Sequence, residues 1–174
     1  MVQKQINLNK DQLSEVVKQV IYEYEKQQQE NAYRKRDRRL RNTKLLLRNY
    51  NNFQAHCKNA VYTSKQIEEI DPWDLLGEIE GIDDESLYIN SIKRTHDRTY
   101  IIVKHIKRAL QFYRYNAERD NDENAIRRYS IIEMVYMSKN KVSYEEISEK
   151  FHVSERTVFR DIRLAVEGLS SLLF

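Results

Sequence analysis

Three arginines near the C-terminus, Arg156, Arg160 and Arg163, stand four and three residues apart. On an α-helix that spacing places all three on one face. A guanidinium is permanently charged and carries its donors in a planar fork, so it can pair in bidentate fashion with a phosphate or with O6 and N7 of a guanine. A helix entering the major groove with its N-terminal residues at the base edges would use such side chains to discriminate by about 1–3 kcal/mol per well-made pair. The competing reading is a solvated charged face, because Glu155, Asp161 and Glu167 share the segment and could pair with the arginines at helical spacing.

The elements that would position the arginines favour the groove. Ser154 stands where a helix needs a cap, accepting from the free N–H groups of the first turn. Val158, Ile162, Ala165 and Leu169 then repeat at 4, 3, 4 on the face opposite the arginines. Upstream, Ser143 with Glu146 three residues on forms a capping box, and Ile147 and Phe151 give the helix behind it one apolar edge. Two such helices with a tight connection must pack as a helix-turn-helix. A helix over Ile126 to Ser138, burying Ile131, Ile132 and Val135, supplies the third member, and Lys139-Asn-Lys141 closes it. The expected DNA contacts are Glu155, Arg156, Thr157, Phe159, Arg160 and Arg163 on the second helix of the motif, with Lys141 and Tyr144 at the start of the supporting helix. Arg127 and Arg128 could flank the DNA.

The segment Val142 to Leu169, with its core Ser154-Glu-Arg-Thr-Val-Phe-Arg-Asp-Ile162, resembles region 4 of sigma-70-type factors. It is closer still to the small sigma-like positive control proteins of phages and prophages in Gram-positive bacteria, the ArpU and RinA type of late-gene regulators. The terminal Leu169-Ser-Ser-Leu-Leu-Phe174 and the short chain are similar to that group too, whereas the N-terminal part matches it by size and helical character alone. The resemblance implies a phage-derived transcription activator with a region-4-like reader. The same core occurs in helix-turn-helix regulators with a wing or a ligand-binding domain, for which the residues after Leu169 are expected to be too few.

Composition points to an all-α chain: three glycines and one proline among 174 residues leave few tight turns, and 33% of the residues are charged. A net charge of only +3 means that any nucleic-acid signal must lie in local distribution. A single cysteine, Cys57, excludes an internal disulfide framework and cannot by itself make a cysteine-type zinc site. Neither a signal-peptide core nor a run of eighteen apolar residues is present, so a soluble cytoplasmic protein is expected.

In chain order, Asn9-Lys-Asp-Gln12 offers a cap, and Leu13, Val17, Val20 and Tyr24 form a narrow seam that could pack on the protein's own body or on a second copy. Polar Gln27-Gln-Gln-Glu-Asn31 then ends it, and a loosely attached helix is expected. From Arg34 to Arg48, eight cations (Arg34, Lys35, Arg36, Arg38, Arg39, Arg41, Lys44, Arg48) stand against Asp37 alone, a net +7. Such a block, and Arg34 to Arg41 above all, suits nonspecific phosphate contact with a strong salt dependence. Leu46, Tyr50, Phe53, Cys57 and Val61 predict a helix over 43–62 with Cys57 a small buried hydrophobe. The nine acids between Glu68 and Glu85 are read as a counterpart to the basic block, within the chain or on a partner such as polymerase, and Asp71-Pro-Trp-Asp74 as a capped helix start burying Trp73 and Leu75-Leu76.

A long helix is expected over 84–115, carrying Ile92, His96, Thr99, Val103, Ile106, Leu110 and Tyr113 at alternating 4 and 3 spacing. Lys93, Arg94, Arg98, Lys104, Lys107 and Arg108 would make its outer face either a second phosphate-facing surface or a solvated exterior. His96 and His105 fall on different faces, so no shared metal is expected, and no cofactor. Polar Asn116 to Asn124 reads as a linker. The expected organisation is an N-terminal helix and basic segment (1–42), a helical domain with an acidic connecting segment (43–118) and a helix-turn-helix domain (122–174).

No glycine-rich phosphate loop, nucleophile elbow, H-E-x-x-H or C-x-x-C is present, so no enzyme is expected. The favoured function is a sequence-specific DNA-binding regulator, an activator of late genes acting on double-stranded DNA beside RNA polymerase. One alternative is a complete sigma-like factor in which Tyr50, Phe53 and Tyr100 meet single-stranded bases. Another is a small terminase subunit, although those usually place the reader before the oligomerisation helices.

Overall fold

The computed structural model describes residues 10–57, 70–140 and 142–174. The described residues form eight α-helices and one π-helical turn, with no strand among them. The chain divides into two compact units, Met1–Asp37 and Arg38–Phe174.

Helix α1 (Lys10–Arg48) contains the whole described part of the first unit. There Leu13, Val16, Val17, Val20, Ile21 and Tyr24 are all exposed. Asn9, the expected cap, lies outside the described residues.

In the second unit α1 ends in a buried run, Leu45 to Leu47. The helix expected over 43–62 is instead broken at Asn49, and α2 (Tyr50–Cys57) follows. Asn49 causes the break by competition: its Nδ2 donates to Leu45 O at 3.0 Å, the carbonyl that its own backbone N–H also reaches at 3.1 Å. Phe53 is fully buried, Tyr50 nearly so and Cys57 half-buried; Val61 lies outside the described residues.

Helix α3 (Pro72–Ile79) starts as its sequence requires, with Asp71 Oδ1 accepting from Trp73 N at 2.9 Å and proline at the first position. Leu75 and Leu76 are buried, but Trp73 is not: it remains 53% exposed, with one ring edge against His105 at 4.9 Å between centroids. The long helix expected over 84–115 is two helices, α4 (Glu85–Ile92) and α5 (His96–Arg119). The break falls at Thr95, whose extended backbone and side chain cap α5 by accepting from Arg98 N at 3.1 Å. Thr99, Val103, Ile106 and Leu110 hold the buried seam, while His96, just past the break, is exposed and stacks on His56 at 4.5 Å.

The stretch Asn116 to Asn124 is not a linker. Helix α5 runs to Arg119 and α6 (Glu123–Ile132) follows after three residues, with Asn121 left-handed at φ 50° and Asp122 capping α6. Asparagine tolerates that conformation, which makes so short a turn affordable. The π-helical turn Glu133–Met137 extends α6, and Asn51 of α2 donates to the carbonyls of Tyr136 within it and Ser138 just after it. Helices α7 (Tyr144–Phe151) and α8 (Glu155–Leu173) complete the chain. One apolar core joins Leu45 to Leu173, with α5 packed on α2 and on α6 and α8.

Candidate nucleic-acid interface

The helix-turn-helix forms as its capping chemistry dictates. Ser143 Oγ accepts from Glu146 N at 3.2 Å while Glu146 Oε2 accepts from Ser143 N at 2.9 Å, closing the capping box of α7. Ser154 Oγ accepts from Thr157 N at 3.2 Å and caps α8. Between them His152 turns the chain in the left-handed region, at φ 52° and ψ 43°. Ile147 fills the junction with Val158, Ile162, Ala165 and Leu169, all buried, so that the seam of α8 faces inward.

The outward face then follows. Arg156, Arg160 and Arg163 are exposed, and with Thr157 and Phe159 they border a hollow of about 440 Å³. Among the described residues none of these three arginines makes an ion pair or a side-chain hydrogen bond. The pairing within α8 that a solvated face would show is therefore missing. Glu155 is exposed beside them, and Phe159 lies 4.7 Å from the Tyr144 ring, so Tyr144 joins the same surface from α7. Lys141 lies outside the described residues.

Asp161 and the two arginines expected to flank DNA are elsewhere engaged. Asp161 is fully buried, with Arg127 Nε 2.8 Å from its Oδ2 and Arg128 Nε 3.7 Å from its Oδ1. A carboxylate on the inner side of α8 needs a compensating charge, and α6 supplies it. Position 161 is three residues from Val158 and four from Ala165, which already placed it on the buried seam.

The basic block of α1 is partly used up by the fold. Arg39 Nε donates to Glu80 Oε1 at 2.8 Å, and its guanidinium stands 5.8 Å from the centre of the Phe174 ring. Arg41 donates to Ile82 O at 2.7 Å and to Asp83 Oδ1 at 2.9 Å. Both were expected as phosphate contacts. They instead clamp the end of α1 to the connection between α3 and α4, which is the intramolecular form of the acidic counterpart. Arg34 reaches Glu30 only at 4.0 Å with both side chains more than half exposed, a pair of little worth. Lys35, Arg36 and Arg38 are exposed.

A three-helix unit with this capped turn and an outward arginine face defines a DNA-binding domain of the helix-turn-helix class. A family model described as an HTH domain matches residues 127–165, from the middle of α6 to the middle of α8. No curated protein and no solved structure matches the chain. The chain is thus all-α and carries a helix-turn-helix DNA-binding domain, and among its described residues no helix is long and apolar enough to cross a membrane.

Proposed function

We propose that this protein is a transcription regulator that reads an operator in double-stranded DNA with α8, and that it activates phage late or prophage genes without being an enzyme. The carrying observation is the unpaired face of Arg156, Arg160 and Arg163, held outward by a buried seam behind it. The activator role and the phage setting rest on the resemblance of Val142 to Leu169 to sigma-like positive control proteins. The exposed seam of Leu13, Val17, Val20 and Tyr24 suits pairing with a second copy, as DNA readers of this class commonly do. RNA polymerase is the partner that an activator requires. A complete sigma-like factor is less well supported, because Phe53 is fully buried and Tyr50 is 7% exposed, where strand separation would need them displayed.

The test is selection of binding sites from a random DNA pool with the full chain, beside the Arg156→Ala/Arg160→Ala variant. A motif enriched only by the parent supports the reading and supplies a promoter for a polymerase assay. Neutralising Lys35, Arg36 and Arg38 should weaken all DNA alike and lower the salt slope by about 0.9 per lost contact. Failure of the parent to enrich any motif would overturn sequence-specific reading by the free protein and direct the search to polymerase-docked reading or DNA packaging.

A further inference from the structure

Phe159 stands among the arginines of α8. It lines the same hollow as Arg156, Thr157, Arg160 and Arg163, and at 3.6 residues per turn it is rotated only about 60° from Arg156. Its ring is 51% exposed and lies outside the apolar core, so packing of the fold does not account for it. A lone exposed apolar residue is ordinary on a protein surface. This one is set apart by the cations around it and by the way it is held. The ring of Tyr144, the first residue of α7, meets it at 4.7 Å between centroids and 55° between planes. Tyr144 thus backs one side of the phenyl ring and restricts its rotation, while the rest stays open beside the guanidinium groups.

A phenyl ring has no donor or acceptor, so it cannot take part in the hydrogen-bond code by which the arginines would distinguish a guanine. Among the groups that base pairs present in the major groove one is apolar, the 5-methyl of thymine, and phenylalanine is a side chain suited to contact it. Cytosine presents an amino group there and guanine its O6 and N7. Against the ring each would lose water without gaining a partner. The ring therefore accepts thymine and penalises the polar edges. We propose that Phe159 is a specificity-determining residue that reads thymine in the operator through its 5-methyl group, with Tyr144 as the positioning residue. This rests on α8 being the groove helix, as proposed above. Phe159 is three residues from Arg156, or about 4.5 Å along the helix axis. Base pairs are stacked about 3.4 Å apart, so the thymine belongs within about one or two base pairs of a guanine taken by Arg156.

Selection from a random DNA pool with the full chain supplies the operator. The probe is that duplex with each thymine replaced singly by deoxyuridine, which keeps the base pairing and lacks only the methyl. Fluorescence anisotropy at one salt concentration would compare the parent with Phe159→Ala. The parent should lose about three- to fivefold in affinity at one or two neighbouring thymines, the worth of one methyl group withdrawn from water, and nothing elsewhere. Phe159→Ala should bind the thymine duplex more weakly by at least that factor and be indifferent to uracil at those positions. Phe159→Leu, still apolar, should keep part of the discrimination. Arg156→Ala should retain the uracil penalty while losing its preference for guanine, which separates the two kinds of reading. A parent indifferent to uracil throughout the operator, or a penalty undiminished in Phe159→Ala, would overturn the proposal and leave the groove reading intact. Absence of any selected motif would instead remove the groove reading itself, and the thymine contact with it.

Discussion

Arg127 Nε donates to Asp161 Oδ2 at 2.8 Å, from the first helix of the helix-turn-helix into the inner side of the helix that carries the arginine face. Asp161 lies between Arg160 and Ile162, so fixing its direction fixes the rotation of α8 about its axis. The same ion pair that joins α6 to α8 therefore helps decide which way Arg156, Arg160 and Arg163 point.

Arg127→Ala should cost about 3 kcal/mol, at the low end of the range for breaking a buried pair, because Arg128 remains 3.7 Å from the carboxylate. Urea denaturation followed by circular dichroism would measure it. Replacing both partners, as in Arg127→Met/Asp161→Leu, should recover part of the loss, since the fully buried carboxylate is then gone and the remaining cation, Arg128, is 25% exposed. A single variant as stable as the parent would mean that the pair contributes nothing to holding α8.

Gly168→Ala tests the other contact that seats α8. A Cβ at this position would lie 2.7 Å from Cε2 of Tyr113, a ring half-buried beside Arg128. The overpacking should cost about 1–3 kcal/mol, and Tyr113→Leu in the same chain should relieve it. If Gly168→Ala melts at the parent's temperature, the Tyr113 ring has room to move aside.

What could be read from the residues was local. Ser143, Ser154 and Asp71 announce their helices because a cap needs only the next three residues, and the seam of Val158, Ile162, Ala165 and Leu169 needs only one period. The breaks at Asn49 and Thr95 were hidden because apolar spacing continues across both, and neither glycine nor proline marks them. Thr95 did carry a signal, a side chain able to cap, but periodicity outweighed it. The fates of Arg39, Arg41, Arg127 and Arg128 were hidden for a different reason. Each pairs with an acid more than thirty residues away in sequence, and a charge looks the same from the sequence whether it awaits phosphate or a distant carboxylate.

His105 gives the fold a dependence on mild acid. Its Nε2 donates to Leu173 O at 3.2 Å, tying α5 to the last turn of α8. Burial pushes its imidazole below the ordinary value of 6.5, outweighing the opposite effect of that hydrogen bond; Asp71 raises it and Arg108 lowers it by less. The unfolded chain therefore binds a proton on this side chain before the folded one does. Above about pH 7 neither state is protonated there and His105 contributes no slope; as pH falls through 6.5, stability is lost until the folded value is reached. The melting temperature should decline across that interval, and His105→Gln should flatten the decline. An unchanged slope in the variant would assign it to other groups.

His152 occupies the turn of the helix-turn-helix at a cost. Its backbone is left-handed, at φ 52° and ψ 43°, while its N–H donates to Glu149 O at 3.2 Å and Val153 N donates to Ser148 O at 3.0 Å. These bonds close the end of α7 in the manner for which glycine is preferred, because a side chain in that region costs roughly 1–2 kcal/mol. Glycine pays back part of the difference through its looser unfolded chain, so His152→Gly should stabilise the protein by about 0.5–1 kcal/mol. His152→Val should do the opposite, since a β-branched residue fits the left-handed region worst. Thermal unfolding of the two variants beside the parent decides the matter: if glycine lowers the melting temperature, the exposed imidazole supplies more to the turn than its backbone strain takes away.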